Sequence, residues 1–205
     1  GRAMAPTART QRSTMLILMT GLILALASPV HAMVVDYVVS LNTSALMGTS
    51  GFLDLQFNPG TIPGTPGAEA AISLFSGDAV LQNPGQANGT GNVTGALPGE
   101  LVFHNGTQFN SFFQEVTFGT TISFHADFSG AFLTALSGAH TAFSVSVYDA
   151  DGITPLLTTD PSGALTIFDL APGGEITPMI FNPSVVTVAA VPLPAAAVLF
   201  PTGLS

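Results

Sequence analysis

From residue 34 onward, apolar side chains recur at every second position rather than at every third or fourth. Segment 121–128 (TISFHADF) places its aromatic and aliphatic side chains on one side and its Ser, His and Asp on the other, and segments 51–57 and 141–149 alternate in the same way. Successive side chains of a β-strand point to opposite faces. The pattern therefore predicts strands with one buried face and one solvated face, as antiparallel sheets have.

Segments rich in Gly, Pro and Asn separate these runs, notably 58–67 and 76–91. Segment 109–118 is ambiguous between a short helix and a strand. Many short strands between such turns are typical of an all-β antiparallel sandwich or jelly roll, here a single domain. The predicted strands are 34–41, 51–57, 68–75, 92–103, 121–128, 141–149, 164–170 and 184–191.

The front of the chain predicts a secretory signal peptide over residues 1–32. An Arg-bearing polar stretch precedes the apolar run Met15–Ala27, and Val30 and Ala32 form a small-x-small cleavage site. The apolar run is shorter than the roughly 20 residues of a membrane span. This signal helix would engage the Sec translocon and leave a β domain over 33–190, although a buried helix or a retained anchor would fit the same run.

The end of the chain forms a third segment, residues 191–205. Val191, Pro192, Leu193 and Pro194 make a proline elbow ahead of the apolar stretch Ala195–Phe200. Two prolines hold an extended backbone and keep a following helix separate from the domain. An ordinary Pro/Ala-rich linker or strand is the alternative interpretation.

This tail resembles the PEP-CTERM sorting signal of Gram-negative bacteria that produce exopolysaccharide. The resemblance implies processing by an exosortase-type enzyme and a place at the cell surface or in the extracellular matrix. Leu193 stands where the motif commonly has Glu, Pro201 interrupts the apolar stretch, and no basic cluster follows, so the signal is expected to be incomplete or truncated. Segments 37–46, 51–60 and 148–157 also resemble PEP-CTERM ectodomains without assigned activity.

Charge excludes several classes of partner. The chain has three Arg and no Lys, and Arg2, Arg9 and Arg12 all precede the apolar run. Without the leader, 12 carboxylates remain with no Lys or Arg, a formal net charge of −12. Such a domain cannot neutralise phosphates, so nucleic-acid binding is excluded and an anionic lipid surface is disfavoured. With no Cys, disulfides and thiolate metal sites are excluded.

One candidate metal site stands out. Asp149 and Asp151 flank a turn that continues into Gly152, and Asp160 follows nearby. Clustered carboxylates on a Gly turn suit Ca²⁺, although the further ligands of an EF-hand loop are missing. Asp-x-Asp-Gly is also an ordinary turn in which Asp accepts hydrogen bonds from its own backbone. No other cofactor is expected.

Evidence for catalysis is weaker. His125 and Asp127 share the polar face of one predicted strand, with His104 and His140 elsewhere, but their spacing matches no zinc motif. The chain has no Trp and only Tyr37 and Tyr148 as tyrosines, so no aromatic sugar-binding platform is expected. The sequence therefore predicts an exported, acidic, non-enzymatic protein. The alternatives are an exopolysaccharide-binding module, with or without Ca²⁺, and a secreted hydrolase.

Overall fold

The computed structural model describes residues 34–192, which form thirteen strands and three short 3-10 helices. The helices are Ser44–Leu46, Gln86–Asn88 and Ala131–Leu133. The strands are β1 (Val35–Asn42), β2 (Ser50–Pro59), β3 (Ala68–Gly77), β4 (Val80–Leu81), β5 (Gly89–Thr90), β6 (Val93–Gly95), β7 (Leu101–His104), β8 (Ser111–Thr117), β9 (Thr121–Gly130), β10 (Thr141–Asp149), β11 (Ala164–Leu170), β12 (Ile176–Ile180) and β13 (Val186–Ala190).

The strands form two antiparallel sheets. The first has the order β13-β1-β9-β3-β7-β6, and the second has the order β12-β11-β10-β2-β8-β4, with β5 also paired to β8. The predicted all-β sandwich is therefore confirmed. None of the helices within 34–192 has the length and hydrophobicity needed to cross a bilayer. The signal helix predicted for 1–32 lies outside the residues that the structure describes.

The inner faces follow the predicted alternation. Alternate residues of β2, β9 and β10 are fully buried, and the positions between them point outward. A cluster of rings contributed by both sheets fills the middle of the core, where Phe143 lies within 5.7–6.5 Å of four others. Those four rings are Phe57, Phe103, Phe128 and Phe168. Such edge-on contacts add to the hydrophobic stabilisation from burial.

The ambiguous segment 109–118 is a strand, β8, in which Phe112 and Val116 face the core. Asn110 immediately precedes this strand, and its buried side-chain amide donates to the carbonyl of Phe57 at 2.8 Å. The segment predicted as one strand over 92–103 is divided into β6 and β7. The short strands β4 and β5 occupy part of the predicted loop 76–91. Strand β12 has no counterpart among the predicted strands.

Both ends of the described chain leave the sandwich at one place. β1 and β13 are antiparallel neighbours, with Tyr37 paired to Ala190, and the amide of Val191 donates to the carbonyl of Asp36 at 2.8 Å. The ring of Tyr37 packs on Phe168 in the opposite sheet at 5.2 Å. The two ends of the described chain therefore lie near Phe168 of the second sheet.

Candidate functional site

A cluster of aromatic rings lies on the outward face of the second sheet. Phe52 of β2 is paired with Tyr148 of β10, and Phe113 of β8 is paired with Asp54, two residues further along β2. The rings of Phe52 and Phe113 are stacked, with centroids 4.4 Å apart and planes 17° apart, and Tyr148 lies 6.1 Å from Phe113. Three neighbouring strands thus fix three partly exposed rings beside one another.

Two loop residues make this cluster into an open groove. Phe109 precedes β8 and is 51% exposed, and Ile153 follows β10 and is 78% exposed. Between them the groove has a volume of about 470 Å³. Gly152 has a φ of +68°, and a Cβ built on it would lie 3.6 Å from both Phe52 and Phe113. The chain therefore bends tightly over the ring edges in a conformation that favours glycine.

A row of polar side chains on β2 leads into the groove, which Asp54 and Gln56 line. Asp54, Gln56 and Asn58 occupy alternate, outward positions of β2. The Asn58 amide donates to Gln56 at 3.0 Å, and the Gln56 amide donates to Asp54 at 2.6 Å. From β8, the hydroxyl of Ser111 donates to the other oxygen of Asp54 at 2.8 Å. The row thus ends on the Asp54 carboxylate, next to the rings.

Asp54 is the charged group of this groove. Its side chain is almost entirely buried, and desolvation raises its pKa, while the hydrogen bonds from Gln56 and Ser111 act in the opposite direction. An ionised carboxylate offers about four acceptor positions, of which these two donors occupy two. The carboxylate can therefore accept further hydrogen bonds from a ligand in the groove.

The expectation that the chain lacks an aromatic platform does not hold on this face. Most Phe residues are in the core as predicted, but Phe52, Phe109 and Phe113 are not. The alternation of 51–57 already placed Phe52 on the polar side, as 141–149 did for Tyr148. Their proximity depends on the register of three strands, which the sequence pattern does not reveal.

The three predicted calcium ligands accept hydrogen bonds from their own turns. Asp151 accepts from the amides of Ile153 and Thr154 at 2.9 and 2.8 Å and from the Thr154 hydroxyl, and these bonds lower its pKa. Asp149 accepts from its neighbouring amide, and Asp160 accepts from the amide and hydroxyl of Ser162. Over residues 34–192, no group of three or more acidic or imidazole side chains is arranged to hold a metal ion. The calcium site stays a prediction.

Of the predicted sorting motif, Val191 and Pro192 lie within the described residues and Leu193 and Pro194 lie outside them. The predicted cleavage residues Val30 and Ala32 also lie outside them. Val191 extends the ladder between β13 and β1 by one hydrogen bond. The elbow therefore begins where the sheet ends.

The first sheet places acidic and imidazole side chains together on its outward face. Asp36 of β1 and Asp127 of β9 are directly paired, and Nδ1 of His125 lies 3.0 Å from Asp36. Burial and the neighbouring Asp36 raise the pKa of Asp127. His104 lies 3.4 Å from Glu69 on the same sheet. On the second sheet, His140 lies 2.8 Å from Asp169.

Comparison with known proteins gives no match. No family model matches the chain, and no curated protein and no solved structure matches it either. The resemblance of the tail to the PEP-CTERM signal is therefore untested by these comparisons.

Proposed function

We propose that this chain is an exported, acidic, non-enzymatic protein of a Gram-negative cell surface or extracellular matrix that binds extracellular polysaccharide in the aromatic groove. One observation carries the binding part: the rings of Phe113 and Tyr148 line the same groove as the polar row that ends on Asp54. Ligand sites combine apolar and aromatic walls with a few fixed polar groups.

Sugar rings suit this combination. A pyranose has an apolar face of C–H groups, which packs on aromatic rings, and a rim of hydroxyls, which form hydrogen bonds. The groove offers Phe113 and Tyr148 for the first contact and Asp54, Gln56 and Ser111 for the second. Its open shape suits a chain passing along the sheet better than a small molecule that must be enclosed.

Export is supported by the leader and the proline elbow, and the path of the chain bears on how an exported domain would be displayed. Both ends of the described domain leave over the Phe168 end of the second sheet. Phe168 is joined through Phe143 to Phe57, and Asp54 and Phe52 lie about 10–17 Å further along β2 at roughly 3.3 Å per residue. A domain held by its C-terminal end to an exosortase-type enzyme or to the cell surface would present the rings away from that end.

Co-sedimentation with crude extracellular polysaccharide from an exosortase-carrying Gram-negative bacterium tests the binding. We expect wild-type protein and Phe181→Ala to sediment with the polysaccharide and Phe113→Ala to stay in solution. Phe181 is the matched control because it is a partly exposed ring outside the groove. Equal sedimentation of the two variants would contradict a role for the groove.

Two further measurements address export and catalysis. Expression of the full chain in such a bacterium should give an extracellular product whose N-terminus is Met33, and retention in the cytoplasm would contradict export.

The secreted hydrolase is a second candidate, because Asp36 and Asp127 are paired carboxylates and the pKa of Asp127 is raised. An assay for new reducing ends in the polysaccharide decides this point, and we expect none.

A further inference from the structure

The geometry points to an uncharged glycan as the ligand of the groove, with Asp54 as the residue that selects it. This inference rests on the proposed polysaccharide binding and adds the chemical class of the polysaccharide. It depends on the charge around the groove and on the direction of the hydrogen bonds in its polar row.

Residues 34–192 offer no Lys or Arg side chain to neutralise an acidic sugar. Residues 34–192 contain all 12 acidic residues of the chain and neither Lys nor Arg. The described imidazoles each contact a carboxylate outside the groove, His104 with Glu69, His125 with Asp36 and His140 with Asp169. The groove itself contributes Asp54, and exposed Glu115 is paired with Phe52 at its edge. A uronate, sulfate or phosphate group would therefore meet only negative charge.

The polar row ends in an acceptor. Its hydrogen bonds run from Asn58 through Gln56 to Asp54, and Ser111 donates to the same carboxylate. Asp54 in its ionised form has no proton to donate and keeps acceptor positions unused. Sugar hydroxyls can donate to these positions, whereas the carboxylate of an acidic sugar can only accept. The row thus favours neutral hydroxyls at the point where the rings begin.

The burial of Asp54 strengthens this preference for neutral hydroxyls. Asp54 is 4% exposed and each of its oxygens already accepts one hydrogen bond, so little water hydrates it, and a ligand that covers its exposed edge replaces that water best with further donors. A hydroxyl-rich ring stacked on Phe113 or Tyr148 supplies them. An anionic ring at the same place leaves two like charges facing one another in a water-poor environment.

Affinity electrophoresis tests the inference with defined polymers. The uncharged gels contain hydroxyethylcellulose, galactomannan or mixed-linkage β-glucan, and the acidic gels contain alginate or polygalacturonate, each with calcium or with EDTA. We expect at least one uncharged polymer to retard the wild-type protein and neither acidic polymer to do so in EDTA. Phe113→Ala and Asp54→Asn should each weaken retardation at least about tenfold, and Phe181→Ala should leave it unchanged.

The pH profile separates selection by Asp54 from a merely structural role. Protonation replaces an acceptor by a donor, so wild-type retardation should fall as the pH drops through the raised pKa of Asp54. Asp54→Asn should lose that pH dependence and discriminate less between uncharged and acidic polymers. Thermal unfolding of each variant shows whether its fold is intact.

Two results would overturn the inference. One is retardation by alginate or polygalacturonate in EDTA that equals or exceeds retardation by every uncharged polymer. The other is unchanged affinity, selectivity and pH profile in Asp54→Asn. If the protein sediments with crude polysaccharide but prefers the acidic gels, the proposed function stands and this inference fails. If it neither sediments nor is retarded, the proposed function fails as well.

Discussion

The outward faces of the two sheets differ although their inward faces are alike. On the first sheet, outward polar groups contact one another across strands: Asp36 contacts His125, Glu69 contacts His104, and the hydroxyls of Ser40 and Ser123 lie 2.8 Å apart. On the second sheet, outward positions carry the rings of the groove and a polar row that ends on a carboxylate with acceptor positions to spare. The polar side chains of the first face contact one another, whereas Asp54 on the second face keeps acceptor positions for a ligand.

This difference has a simple origin. Alternation decides which residues face water, and it does so equally in both sheets. It does not decide what those residues are. Where they are Ser, His and Asp, cross-strand pairs form, and where they include aromatic rings, apolar surface remains at an outward position. A binding site is therefore expected where outward strand positions carry aromatic rather than polar side chains.

The largest expected effect comes from the core that both faces share. Phe143 is fully buried and lies within 5.7–6.5 Å of four rings from the two sheets. Phe143→Ala should lower the free energy of unfolding by about 3–5 kcal/mol, because it removes a large side chain and leaves a cavity. Urea denaturation measures this, with Phe181→Ala as the exposed control. A loss below about 1 kcal/mol would show that the two sheets are not joined through this cluster.

A smaller effect is expected where the chain crosses from the first sheet to the second. Asp78 lies between β3 and β4 and accepts hydrogen bonds from the amides of Thr120 and Thr121 at 2.7 and 2.8 Å and from the Thr120 hydroxyl. A Cβ on Gly119 would lie 2.3 Å from the Asp78 carboxylate and 2.6 Å from its backbone. Gly119→Ala must therefore push the Asp78 carboxylate and backbone aside, and this overpacking should lower the free energy of unfolding by about 1–3 kcal/mol, which urea denaturation measures.

The hydrogen bonds of Asp78 also predict a pH dependence of stability, which serves as a control for the Gly119→Ala experiment. Hydrogen bonds from Thr120 and Thr121 lower the pKa of Asp78 from 3.8 to about 2. Because the folded protein holds this proton less tightly than the unfolded chain, the stabilisation is present above pH 3.8 and is lost as the pH falls towards 2. The loss of stability caused by Gly119→Ala should therefore be smaller at the acid end, where the steric part of the cost remains and the hydrogen-bond part is gone. An equal loss at every pH would mean that the substitution acts by steric strain alone.

The sequence predicts the fold well and the site poorly, for physical reasons. Burial of one strand face imposes a period of two, so segment 164–170 was predicted with the bounds that β11 has. The pattern does not predict β12, because this strand lies at a sheet edge, contains Pro178 and has no fully buried side chain. The groove depends on which strands are neighbours: Asp54 meets Phe113 only because β2 pairs with β8. That register is a long-range property of the chain that local alternation does not encode.

The smallest expected effect lies on the outward face of the first sheet. Asp36 and Asp127 are paired directly, and like charges opposite each other in a sheet are destabilising. Burial first, and then Asp36, raise the pKa of Asp127, while His125 acts in the opposite direction and Glu100 adds a smaller increase. The folded protein thus holds this proton more tightly than the unfolded chain. Stability is lost as the pH rises from the unfolded pKa through the raised one.

Asp127→Asn removes this charge and should raise the free energy of unfolding at pH 7 by roughly 0.2–1 kcal/mol. The gain should disappear at acid pH, where Asp127 itself is protonated. Thermal melts across the acid range measure both, and Glu175→Gln, at an exposed turn, controls for the general change in net charge. A variant less stable than wild type at pH 7 would show that ionised Asp127 is a needed partner on this face. The first sheet would then hold a charged group for a purpose beyond its own pairing, and the contrast with the groove would weaken.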